Sequence, residues 1–135
     1  MFDEFWTVQE VADELDTGHQ KDYNVPDLSE HNWVQIVTPK AVPSEWFSTD
    51  LGKGELFAMA LAIENPDRIV LLDDGLARRI SKAAGLKVWG TLKILLEAKQ
   101  IGLVQQIGPL IDSLAESGMW LSSELKTRIK ILAGE

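Results

Sequence analysis

The chain has 135 residues, 45% of them apolar and 25% charged, with a net charge of -8 and no cysteine. That length fits one domain with its own core, here residues 1–135, and the composition excludes disordered, collagen-like and low-complexity classes. Without cysteine there is no disulfide scaffold, thiolate nucleophile, zinc ribbon or iron–sulfur cluster; no apolar run nears the roughly 20 residues that cross a bilayer, and the acidic start lacks a signal peptide's basic region, so a cytoplasmic protein without membrane contact is predicted.

Charge is unevenly placed. Residues 1–67 carry 14 acids against 3 bases, and residues 68–135 carry 7 acids against 10 bases. The split leaves a mildly basic half suited to a polyanion beside an acidic half suited to a cation.

In chain order, Phe5, Trp6, Thr7 and Val8 read as a strand. Val8, Val11, Ala12 and Leu15 recur at helical spacing, predicting a helix over residues 8–16 that Thr17-Gly18 stops. A polar stretch over residues 19–32 predicts a loop with one short turn near Leu28, and Trp33, Val34, Ile36 and Val37 predict a strand ended by Pro39. After a proline-bearing loop, Gly52-Lys53-Gly54-Glu55 opens a helix whose residues 56–63 are apolar on nearly every side, which places it inside a layered fold. Ile69-Val70-Leu71-Leu72 lacks alternation and predicts a strand buried on both faces. Ala77, Ile80 and Ala84 mark an amphipathic helix ending at Gly85, Leu86-Lys87-Val88-Trp89 a further strand, and three helices follow, the last capped by Ser122. Helices alternating with strands indicate an α/β sheet with parallel crossovers, followed by a helical carboxy-terminal third.

The chemistry-bearing residues are mainly acidic. Asp73 and Asp74 stand where the apolar strand ends, the carboxyl edge at which open parallel sheets bind ligands. Adjacent aspartates repel unless a cation or a basic group neutralises them, and oxygen donors without Cys or clustered His favour Mg²⁺ or Mn²⁺. Asp74 equally suits a cap for the next helix, with Asp73 solvated. Glu55 suits either a site acid or a favourable partner of its own helix dipole. Glu14 is a third candidate, with Glu10 and Asp13 beside it as ordinary surface charge.

Arg78, Arg79 and Lys82 follow the aspartate pair, and Arg78 and Lys82 share a helix face that suits either phosphate or solvent. Trp33, Trp89 and Trp120 are expected in the core. Trp46 is expected there too, or as a stacking platform. His19 and His31 receive no role. Gly52-Lys53-Gly54 lacks the spacing of a phosphate-binding loop, and no nucleophile elbow or dinucleotide fingerprint is present.

Gly54-Glu55 opening an alanine-rich helix, Ile69-Val-Leu-Leu-Asp73-Asp74-x-x-Ala77-Arg78, and Leu86-Lys-Val-Trp-Gly90-Thr91 with the later Ala98-Lys99-x-x-Gly102-Leu103 together resemble the PIN-domain superfamily. The likeness is greatest to its uncharacterised bacterial and archaeal members that are predicted to bind nucleic acid. It implies a three-layer α/β/α fold with a mostly parallel sheet and a Mg²⁺- or Mn²⁺-dependent ribonuclease site, in which Glu14, Glu55, Asp73 and Asp74 are the catalytic acids. Glu14, Glu55 and Asp74 would be the metal ligands, and metal-activated water would attack a phosphodiester. It further implies RNA as substrate, a toxin of a toxin–antitoxin pair with an antitoxin-like partner, and a homodimer. Members begin with a strand ending in an aspartate, whereas here Met1 leads directly into what resembles the second strand. The expectation is therefore an amino-terminally truncated domain, or one whose coding start lies upstream, with metal binding weakened and catalysis impaired. The alternative is a non-catalytic interaction module pairing with an antitoxin-like or identical partner, because a missing βα unit leaves strand edges and apolar faces uncovered.

Overall fold

Four short strands and six helices alternate much as the hydrophobic periodicity predicts. The computed structural model describes all of residues 1–135, in two compact units, Met1–Val88 and Trp89–Glu135. In the first, β1 (Phe5–Thr7), α1 (Gln9–Gln20), β2 (Val34–Ile36), α2 (Lys53–Glu64), β3 (Ile69–Leu71), α3 (Gly75–Ala83) and β4 (Lys87–Trp89) follow one another, the last strand ending one residue beyond the unit. Single 3₁₀ turns cover Leu28–Glu30 and Ser44–Ser48. The second unit holds α4 (Thr91–Gln100), α5 (Gly108–Glu116) and α6 (Ser123–Leu132).

β1 and β2 pair in parallel with Phe5 opposite Val34, Trp6 opposite Gln35 and Thr7 opposite Ile36. Parallel neighbours need a long crossover, which α1 and the following loop supply. β3 pairs with β4 across α3, so the strands divide between two two-stranded sheets.

The first unit's core forms around α2, whose Leu56, Met59, Ala60 and Ala62 pack with Val70, Leu72 and Ala77. This is the all-round apolar helix of the sequence, with only Ile63 and Glu64 emerging at its carboxyl end. Trp46 is 7% exposed and belongs to this core, which removes it as a stacking platform. Two other tryptophans depart from expectation the opposite way: Trp33 is 55% and Trp120 84% exposed. Trp33 lies just before β2, with its ring edge-to-face on Phe5 at 4.9 Å; Trp120 lies in the α5–α6 connection.

Two further corrections have packing causes. Thr17-Gly18 does not stop α1, which continues to Gln20. Gly18 is buried inside the helix, and a Cβ there would stand 3.1 Å from Val25 Cγ2, so its small size admits the returning chain. The helix ends instead where Asp22 takes a positive φ of 59°. β3 is not buried on both faces either: Val70 is buried, but Leu71 is 48% exposed. One side of this strand faces a groove rather than a packed layer.

The second unit packs Ile107, Ile111 and Ile129 together, with Leu92, Leu95, Leu96 and Leu125 around them. Ser122 caps α6 as the sequence predicts, its hydroxyl accepting from the Leu125 amide at 3.1 Å. Glu135 closes the unit. Its carboxylate accepts from the amides of Ile107 and Gly108 at 2.8 and 2.9 Å and pairs with Lys99 Nζ at 2.8 Å. These donors, the Ile107 amide foremost, hold its pKa well below the ordinary 4.5, at about 2.

Candidate metal and nucleic-acid site

The first turn of α2 gathers two of the expected acids. Glu55 is its third residue and reaches back to accept from the Gly52 amide at 3.0 Å, the reciprocal half of a capping box. Glu14 arrives from α1, and its Oε1 accepts from the Gly54 amide at 3.3 Å. Both carboxylates flank one point: a Cβ on Gly52 would stand 3.6 Å from Glu55 Oε2 and 3.9 Å from Glu14 Oε1. The amide dipoles at a helix amino terminus favour negative charge there, which makes this turn a stable place for paired acids. Glu10, Asp13, Glu14, Thr17 and Lys53 line a shallow hollow of about 430 Å³ beside it. Glu10 and Asp13 thus share Glu14's surroundings.

Asp74 sits at the end of β3 and caps α3, its Oδ2 accepting from the Ala77 amide at 2.9 Å. Asp73 is exposed one residue earlier. Arg78, Arg79 and Lys82 lie on α3. Arg79 and Lys82 are exposed; Arg78 is half-buried, and its Nε has no hydrogen-bond partner although it is shielded from solvent. A guanidinium nitrogen in that state is a desolvated donor without an acceptor.

A family model described as PIN domain matches residues 1–135, the whole chain. The chain belongs to the PIN-domain family. No curated protein and no solved structure matches it. Its mixed α/β order, with helices joining short parallel strands, is consistent with the PIN-like fold.

PIN domains generally use divalent metals. The donor set fits a hard cation in kind, since Glu14, Glu55, Asp73 and Asp74 are all carboxylates, and Mg²⁺ is commonly held by one or two such groups with water completing its shell. Glu14, Glu55 and Asp74 each give one oxygen to a backbone amide, and each retains the other. The structure brings Glu14 and Glu55 to one turn, but no group of three or more His, Asp or Glu side chains converges closely enough to hold an ion.

Sequence reasoning named these four acids as candidates. It quoted Gly54 only as part of the helix-opening motif and missed its packing role: a Cβ there would meet Glu14 Oε1 at 2.9 Å and Val11 Cγ2 at 3.0 Å, so Gly54 lets α1 press against the α2 terminus. A glycine next to a helix-opening glutamate was the available signal.

Proposed function

We propose that this PIN-domain chain binds single-stranded RNA and holds Mg²⁺ or Mn²⁺ at the Glu14–Glu55 turn, with Asp73 and Asp74, which follow β3, as further acids of the site. The observation that carries the reading is the meeting of two carboxylates from different helices at one helix amino terminus. A divalent ion there would supply charge neutralisation and activation of water for phosphodiester hydrolysis. Arg78, Arg79 and Lys82 bind the RNA phosphates. The wider reading is a cytoplasmic toxin-type domain, with its two units acting as one domain. It self-associates through apolar side chains exposed on the carboxy-terminal unit, among them Trp120, Ile131 and Leu132.

The deciding experiment is a thermal melt in millimolar Mn²⁺ or Mg²⁺. A ligand that binds only the folded state at about 100 times its Kd adds roughly 2.7 kcal/mol. The expected result is a rise of several degrees, lost in Glu14→Gln and in Asp74→Asn. Asparagine still caps a helix, so Asp74→Asn should melt normally without metal, whereas Asp74→Ala should lose about 1 kcal/mol. A wild-type melting curve unmoved by either ion overturns the metal site.

A further inference from the structure

Trp46 and Phe47 are neighbours in the 3₁₀ turn Ser44–Ser48 with opposite placements: Trp46 is 7% exposed and Phe47 56%. The difference is built into the turn. Trp46 belongs to the core around α2, and Val42 before it and Leu51 after it pack against the same core, so the segment is pinned on both sides of Phe47. Hydrogen bonds close its backbone: the Trp46 amide donates to the Pro43 carbonyl at 3.1 Å, and the Trp46 carbonyl accepts from the Thr49 amide at 3.1 Å and from Thr49 Oγ1 at 2.6 Å. The Ser48 hydroxyl donates to the Glu45 carbonyl at 2.8 Å. Held beside a buried tryptophan in this way, Phe47 is kept out of the core, and its ring meets no other aromatic ring. The turn leads into the acid-bearing end of α2. Phe47 precedes Gly52, whose amide donates to Glu55, by five residues, so their Cα atoms are at most about 18 Å apart. Among the exposed aromatic residues Tyr23, Trp33, Phe47 and Trp120, Phe47 is the nearest in the chain to that end. No Lys or Arg occurs from Pro43 to Gly52, and Glu45 and Asp50 are exposed there.

We propose that Phe47 is a base-stacking residue of the candidate site: its ring takes the face of one unpaired nucleobase of a single-stranded RNA whose backbone passes the Glu14–Glu55 turn. The assignment rests on the RNA reading above and adds to it the part of the strand that this segment holds. The local charge selects a base over a phosphate, because the segment offers acids and no cation, and like charge repels the RNA backbone there. The flat, uncharged face of a nucleobase matches an aromatic ring instead, and every base has such a face, so the contact holds the strand without reading its sequence. The pinned backbone makes the contact inexpensive in entropy: only the two χ angles of Phe47 have to be ordered. Stacking on a side chain also requires a base free of its duplex neighbours, which selects single strands. Phe47 therefore contributes through the base face, and the cations of α3 contribute through phosphates, which separates the two by their response to salt.

The test titrates the full chain with labelled oligouridylate, oligoadenylate and an abasic oligonucleotide of equal length at several salt concentrations. Phe47→Ala should weaken binding of both RNAs about tenfold, within the range that loss of one aromatic stack gives. Phe47→Leu, which keeps apolar bulk without a π face, should weaken it as much, and Phe47→Tyr should bind as wild type. The slope of log K against log salt should be the same in all four proteins, because a stack releases no counterion. None of the substitutions should alter binding of the abasic strand, and Phe47→Ala should melt as wild type because the ring is exposed. RNA binding that Phe47→Ala leaves unchanged overturns this assignment alone. So does wild-type binding by Phe47→Leu, which would mark plain apolar contact, and so does an equal loss on the abasic strand, which would mark a structural role. Absence of RNA binding by the wild-type chain overturns the RNA reading and this assignment with it.

Discussion

At Gly54 a Cβ would stand 2.9 and 3.0 Å from the two Glu14 carboxylate oxygens and 3.0 Å from Val11 Cγ2. The carboxylate is the free end of a flexible side chain, so it yields more readily than the backbone. Alanine also favours a helix over glycine by about 1 kcal/mol, which offsets the crowding at Val11. The expected outcome for Gly54→Ala is thus a nearly unchanged melting temperature without metal and a much reduced Mn²⁺-induced rise, because Glu14 has been displaced from the turn. Paired melts with and without Mn²⁺ check it; an undiminished metal shift would show that Glu14 does not contribute. The sequence marked Glu14 and Glu55 as separate candidates but not their convergence, because their contact runs through a glycine amide 40 residues from Glu14. Tryptophans were misread for a related reason. Hydrophobicity predicts burial only on average, so Trp46 and Trp120 could not be ranked until the backbone placed one over α2 and the other in an exposed connection.

Helix boundaries were most legible where a local side chain makes the cap. Asp74 and Ser122 each bond an amide three residues on, an interaction contained in the sequence spacing. Gly18 was misread because its role is set by Val25, across the turn after α1. Glu135 escaped notice altogether, since the amides it caps at the start of α5 lie 27 and 28 residues away. That cap carries a pH signature. The folded-state pKa of about 2 lies below the ordinary 4.5, so the contribution is fully present above pH 4.5 and fades as pH falls toward 2. Glu135→Gln keeps an acceptor oxygen but loses the charge facing Lys99, so it should melt below wild type at pH 7. The gap should narrow as pH drops from about 4.5 toward 2. Melting series across that window check this, and a gap independent of pH would assign the effect to packing.

Over the whole chain the fold class was readable because helix and strand periods alternate cleanly. What was not readable was which strands pair, β1 with β2 and β3 with β4, because pairing is a question of tertiary spacing, on which hydropathy is silent. The charge split is a property of the same scale and bears on RNA. A net charge of -8 repels a polyanion at long range, so binding must come from a local basic face and must be sensitive to salt. Arg78, Arg79 and Lys82 supply three cations on α3. Each phosphate contact on a single strand contributes about -0.7 to the slope of log K against log salt, so three predict a slope of about -2. Arg78→Ala combined with Lys82→Ala should reduce it to about -0.7 and weaken binding at every salt concentration. The loss at Arg78 should exceed that at Lys82, because a guanidinium can grip a phosphate with two parallel N–H donors where an ammonium is a point charge. Titrations of a labelled oligouridylate at several salt concentrations measure both quantities. A slope unchanged by the double substitution would move the RNA contacts off α3, and the bases of residues 89–135, outside this unit, would be the next to substitute.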